Sequence, residues 1–158
     1  MGECMKLGIK DQDRETIAQH LSKILADTFV LSVKTQGFHW NVKGPHFYAL
    51  HKLFEEQYDA LQDALDPLAE RLRALGVPAP GAIAAYAKLT SLKEQDKIPA
   101  AQAMVKELLQ DNEALALQIH ATINAIEGTQ DEVTADMLTE RLERHEKAAW
   151  MLRSTLED

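Results

Sequence analysis

Apolar residues recur at helical intervals in four stretches of the chain. From Asp13 to about Gly37, the residues Ile17, Leu21, Ile24, Thr28 and Leu31 alternate steps of four and three, which places them on one helix face. Gly37 is expected to end that helix. From about Pro45 to Leu75 the stripe is Leu50, Phe54, Tyr58, Leu61, Leu65, Leu68, Leu72 and Leu75, stopped by Gly76 and the run Val77-Pro78-Ala79-Pro80-Gly81. Pro67 lies inside this pattern and can bend it, but the stripe resumes in phase, so one continuous helix is expected. A third stripe, Met104, Leu108, Leu115, Ile119, Ile123 and Ile126, predicts a helix from Pro99 to about Glu127, with the proline in its first turn. The fourth runs from about Asp131 to Leu156 through Val133, Met137, Leu138, Leu142, Trp150 and Met151. No strand pattern competes, and no internal repeat is visible.

The connections carry the topology. Residues 38–44 and 128–130 are short links, and each joins antiparallel neighbours. The link from Gly76 to Ile98 is long and contains a small helical patch, Ala82 to Leu89. A crossover of that length lets the second and third helices run in the same direction. The expected fold is therefore all-α: a ferritin-like four-helix bundle over residues 13–158, following an N-terminal tail of residues 1–12, rather than a simple up-down-up-down bundle.

Composition narrows the class. Apolar residues make up 46% and charged residues 27%, the balance of a chain with a packed core. No stretch reaches the 18 or so uncharged apolar residues that a membrane-spanning helix needs, and Met1 to Asp13 lacks the apolar run of a secretory leader. Cys4 is the only cysteine, so neither an internal disulfide nor a thiolate cluster is available, and a reducing cytoplasm is the expected setting. The 17 Lys+Arg against 25 Asp+Glu leave a net charge of −8, which favours cationic partners and disfavours sequence-independent nucleic-acid binding.

The chemistry lies in histidines and carboxylates. A di-iron site inside one bundle uses Glu-x-x-His on two helices. None of His20, His39, His46, His51, His120 and His145 has a Glu three positions before it. The second helix offers a different pattern: His51 and Glu55 share a face, as do Asp66 and Glu70. Imidazole with carboxylate suits a first-row divalent ion. Yet His51 and Asp66 are separated by roughly 22 Å of helix at about 1.5 Å per residue, so one chain cannot bring both pairs to one metal.

Two chains can. In an antiparallel pairing of this helix with its symmetry mate, facing residues keep a constant sum of their numbers. His51 with Glu70 and Glu55 with Asp66 share the same sum. A two-fold axis near Ala60 and Leu61 would set the first pair of one chain against the second pair of the other, and create two identical sites.

The residues Gln36-Gly37-Phe38-His39-Trp40-Asn41-Val42-Lys43-Gly44-Pro45-His46-Phe47, then Leu50-His51, Phe54-Glu55 and Asp66-x-x-Ala69-Glu70-Arg71, closely resemble the Dps family of mini-ferritins. The likeness extends from about residue 15 to the end, through Thr134-Ala135-Asp136 and His145-Glu146-Lys147-x-x-Trp150. It implies a ferroxidase site made of His39, His51 and Glu55 from one subunit and Asp66 and Glu70 from the next. Glu stands at position 55, where Asp is also common in the family. It further implies a hollow homododecamer with its sites at two-fold interfaces. Such an assembly oxidises Fe(II), preferentially with hydrogen peroxide and otherwise with O2, and stores the ferric mineral. That reaction protects against oxidative stress, and zinc is a possible substitute at the site.

The resemblance gives other residues candidate roles. Trp40 is either a packing residue or an electron donor beside the site. Glu127, Asp131, Glu132 and Asp136 are candidates for an iron-entry pore, although acids also favour a helix N-terminus on general grounds. His46 reads as an exposed loop residue or else a weak outer metal ligand, His145 as helix surface or else a proton-handling pair with Glu146, and His20 and His120 as structural. Members that compact DNA usually do so with a lysine-rich tail. Here Lys6 and Lys10 are outweighed by Glu3, Asp11 and Asp13, and the chain ends Leu156-Glu157-Asp158. DNA binding is expected to be weak or absent, with at most a loose association with the nucleoid. The alternative is a structural or DNA-coating shell whose metal sites are vestigial or zinc-filled.

Overall fold

A computed structural model describes residues 5–156, so Cys4 and the terminal Glu157 and Asp158 lie outside the described residues. Five helices follow one another: α1 (Asp11–Asn41), α2 (Phe47–Ala74), α3 (Ile83–Leu89), α4 (Ala101–Ile126) and α5 (Glu132–Ser154). α1 packs on α2, α4 packs on α5, α1 on α4 closes one seam, and α3 lies against α1. No strand occurs among the described residues.

The long helices form because each sequence stripe finds an apolar partner. Ile17, Leu21, Ile24 and Leu31 of α1 meet Phe54, Leu68 and Leu72 of α2 and Met104, Leu108 and Leu115 of α4 in one core, all nearly or fully buried. Each such side chain contributes roughly 1.5–3 kcal/mol.

The ends differ from the sequence expectation. α1 does not stop at Gly37 but continues to Asn41. An interior glycine costs about 1 kcal/mol, and burial of Phe38 and His39 just beyond it offsets that cost. α2 stops where expected. Gly76 takes φ +88°, and the Gly76 and Val77 N–H groups donate to the Arg73 and Leu72 carbonyls, which satisfies the last turn. α2 also runs through Pro67 as one helix.

Polar contacts fix the direction of the chain. Arg71, near the end of α2, bonds Thr134 in the first turn of α5, whereas Gln57, earlier in α2, lies beside His145, later in α5. α2 and α5 are therefore antiparallel. A short link also makes α4 and α5 antiparallel, so α2 and α4 run the same way, as the crossover length predicts. The crossover is held to α1 by Asp27, whose buried carboxylate accepts from the Thr90 hydroxyl and from the Ser91 amide and hydroxyl. Tyr86 of α3 stacks on Phe29 with ring centroids 4.4 Å apart.

The expectation that His145 lies on the surface of α5 needs correction. His145 is buried, at 1% exposure, and Val133 and Trp150 lie in the open. The face that carries Leu138, His145, Ala149 and Leu152 is the one that meets the core. Asp131 is also buried. It accepts from the Thr134 backbone as the cap of α5 and pairs with Arg71 at 2.6 Å. Its carboxylate is committed to joining α2 to α5, while Glu127, Glu132 and Asp136 stay exposed.

Candidate metal centre

His39, near the end of α1, and His51, in the second turn of α2, face each other across the link between the helices. Their imidazoles stack with centroids 3.8 Å apart and planes 17° apart. His39 Nδ1 lies 2.7 Å from the His51 carbonyl, and His51 Nδ1 lies 2.8 Å from the His39 carbonyl. A carbonyl only accepts, so each Nδ1 carries the proton and donates. In the neutral ring this leaves each Nε2 with its lone pair, the form of imidazole that binds a metal. Phe47 stacks on His51 at 5.1 Å, and Tyr58 meets His39 edge-on at 5.2 Å, so neighbouring rings hold the pair from both sides.

Glu55 lies one turn beyond His51 and is half-buried. In this chain its carboxylate is paired with Lys52 at 2.7 Å. The hydrogen bond from Lys52 lowers the Glu55 pKa below the usual carboxylate value. Asp66 and Glu70 are exposed further along α2. Among the described residues, no three His, Cys, Asp or Glu side chains gather closely enough in one chain to hold a metal. The structure thus brings His39 and His51 together, sets Glu55 near them, and leaves Asp66 and Glu70 apart.

Spacing did not single out Phe47, Tyr58 or Lys52. The signals were present: Lys52 precedes Glu55 by one helical turn, and Tyr58 follows His51 by two. His46 is exposed, His120 is exposed and His20 is half-buried. Trp40 is 67% exposed, so within one chain it packs against little. Beside it, Val33, Ile83 and Ile98 are also exposed and line a concave apolar face of about 480 Å³.

A bundle whose second and third long helices run parallel, joined by a crossover with its own short helix, is the ferritin-like architecture. The family described as a ferritin-like domain matches residues 18–158. The chain is 40% identical over 155 residues to an uncharacterized low temperature-induced protein of Nostoc sp., covering 97% of this chain and 87% of that one. It is 34% identical over 140 residues to DNA protection during starvation protein 2 of Bacillus anthracis, covering 89% of this chain and 96% of the relative. Among solved structures, a Vibrio cholerae Dps protein, described as one of the ferritin-like diiron-carboxylate proteins, superposes with a TM-score of 0.92. That pair is 28% identical, over 98% of this chain and 97% of the other. The chain belongs to the Dps mini-ferritins of the ferritin-like family.

Proposed function

We propose that the protein is an iron-storing ferroxidase that works as a homo-oligomeric shell, a dodecamer, in the cytoplasm. His39, His51 and Glu55 of one subunit, with Asp66 and Glu70 of the next, hold Fe(II) as substrate. Hydrogen peroxide, in preference to O2, accepts one electron from each of two ferrous ions. Its O–O bond breaks to hydroxide, the ferric product enters the stored mineral, and hydroxyl radical formation is suppressed. The observation that carries this reading is the reciprocal pair of Nδ1–carbonyl bonds, which presents two Nε2 lone pairs side by side in a chain with a carboxylate one turn away. Carboxylates favour the harder ferric product, while two imidazoles leave positions open for an oxidant.

A second subunit is required because Asp66 and Glu70 do not reach the histidines within one chain. The apolar face around Val33, Trp40, Ile83 and Ile98 supports a second copy as the neighbour, since exposed apolar patches of this kind mark association surfaces. The Vibrio cholerae relative is described as a ferritin-like diiron-carboxylate protein, which agrees with iron as the metal. The Bacillus anthracis relative is named for DNA protection. Here the net charge of −8 per chain argues that protection works through iron and peroxide rather than by coating phosphate.

Anaerobic Fe(II) loading followed by peroxide or air, with ferric absorbance recorded, tests the activity. Co-assembly of His51→Ala chains with Asp66→Ala chains tests the shared site. A mixed dimer restores one intact site, so the mixture regains oxidation that neither variant shows alone. Absence of recovery in correctly assembled protein would take Asp66 out of the site or leave the site vestigial.

A further inference from the structure

We propose that the seam between α2 and α5 is a binding site for a small oxyanion that keeps one O–H group. Arg141 and Gln57 would grip the anion, and its hydroxyl would donate to His145. The shared chemistry is that of hydrogenphosphate or hydrogencarbonate. The site is separate from the candidate metal centre and does not depend on it.

Four polar atoms carry the inference. His145 Nε2, Arg141 Nε and both side-chain polar atoms of Gln57 are buried without a hydrogen-bond partner among the described residues. A buried polar atom without a hydrogen bond is costly, so four converging in one place call for an occupant. These three residues line one pocket of about 150 Å³. A single water needs only roughly 10–15 Å³ of such space. The pocket exists because α2 packs mainly on α1 and α5 mainly on α4, which leaves the α2–α5 seam open.

The tautomer of His145 follows from its neighbour. Asn112 Nδ2 donates to the Leu108 carbonyl, so the amide oxygen faces His145 Nδ1 at 2.9 Å. Nδ1 therefore carries the proton, and Nε2 turns an acceptor lone pair into the pocket. Burial and then the nearby Arg141 cation keep this imidazole neutral, with its pKa down to about 3. A ligand facing Nε2 must donate a hydrogen bond, while one facing Arg141 Nε–H and the Gln57 amide N–H must accept. Water or a neutral amide meets that pattern but not the charge. The lining also holds Arg144, which pairs with Glu140 at 3.9 Å, and Lys147 against one lining carboxylate, Glu56, in a chain that is otherwise acidic. An anion with acceptor oxygens and one hydroxyl matches His145 Nε2, Arg141 Nε–H, the Gln57 N–H and the charge together, leaving only the Gln57 carbonyl oxygen without a donor from it.

Calorimetric titration of the assembled, iron-free protein with inorganic phosphate near neutral pH tests this, with hydrogencarbonate and sulfate as separate arms. Saturable binding of phosphate or hydrogencarbonate at one per chain is expected. Sulfate has no O–H at that pH and should bind about tenfold more weakly, having no donor for His145. Arg141→Gln should weaken phosphate binding about tenfold or more. Gln57→Glu, which places a negative charge in the same pocket, should do the same if the first variant fails to assemble. Preference for hydrogencarbonate would identify a planar ligand of the same class. No saturable binding, equal affinity for sulfate, or affinity unchanged in both variants would overturn the proposal.

Discussion

The histidines at the α1–α2 junction and at the α2–α5 seam use one device in opposite surroundings. At the α1–α2 junction, His39 and His51 each donate the Nδ1 proton to a backbone carbonyl, which leaves Nε2 out of that bond. At the α2–α5 seam, His145 gives its Nδ1 proton to Asn112 and turns Nε2 into a pocket. The first pair has Glu55 one turn away, and His145 has Arg141 one turn away on its own helix. Fixing the tautomer makes a lone pair; the charges around it decide whether it serves a cation or the hydroxyl of an anion. A histidine's role is thus set less by its own bond than by the sign of its neighbours.

The largest expected effect breaks the comparison at the junction. His51→Ala removes one Nε2 and also the ring that stacks on His39. Peroxide-driven Fe(II) oxidation should fall about 100-fold or more, since loss of even an outer partner of a metal ligand costs 10–100-fold. His145→Gln should leave that rate within about twofold if the two histidine sites act independently. Parallel stopped-flow traces at matched protein concentration decide it. Equal losses in both variants would mean that the seam serves the metal centre directly.

Acid should sharpen the contrast. His145 has a folded pKa of about 3 against an ordinary value of 6.5. Between those values the unfolded chain holds a proton that the folded chain does not, so stability is full above pH 6.5 and is lost as pH falls toward 3. The slope approaches about 1.4 kcal/mol per pH unit per chain at its steepest. His145→Gln removes this term, and its acid-unfolding curve, followed by circular dichroism, should be flatter across that window.

A smaller change tests what holds His145 in place. Asn112→Ala deletes the acceptor for Nδ1 and leaves a buried donor unpaired, which should cost about 1–3 kcal/mol in denaturant unfolding. Oxyanion affinity should also fall, because the tautomer is no longer fixed. A variant as stable as the parent would show that the Asn112 contact does not constrain the ring.

Much of this was written in spacing. The four helices and the parallel pairing of α2 with α4 follow from apolar periodicity and link lengths, because each long stripe has one burial solution. The burial of His145 was legible too: Leu138, His145, Ala149 and Leu152 fall on one face, as core residues should. Reading the stripe through Val133 and Trp150 instead placed the histidine outside. The end of α1 was not legible, because Gly37 signals a stop and tertiary burial of Phe38 and His39 outweighs it. Nor was the fate of Asp131, since an acid before a helix reads the same whether it caps, pairs with a distant Arg71 or faces a pore. At the metal centre the sequence singled out His39 and His51, whereas their exchange of bonds through backbone carbonyls is a property of packing alone.

The smallest effect concerns Lys52, the cation paired with a candidate ligand. Lys52 holds the Glu55 carboxylate at 2.7 Å in the isolated chain, and both side chains are substantially exposed. For Glu55 to meet iron, that pair must open. An exposed pair of this kind is weak and screened by salt, so opening it should hinder binding only slightly. Lys52→Ala removes the competitor and a positive charge, and both changes act in the same direction. Fe(II) affinity, measured anaerobically, should rise by about fivefold at most, with the gain shrinking as salt is added. A loss of affinity would mean that Lys52 orients Glu55 toward the histidines rather than holding it back. The surroundings would then aid the metal centre even through that opposing charge.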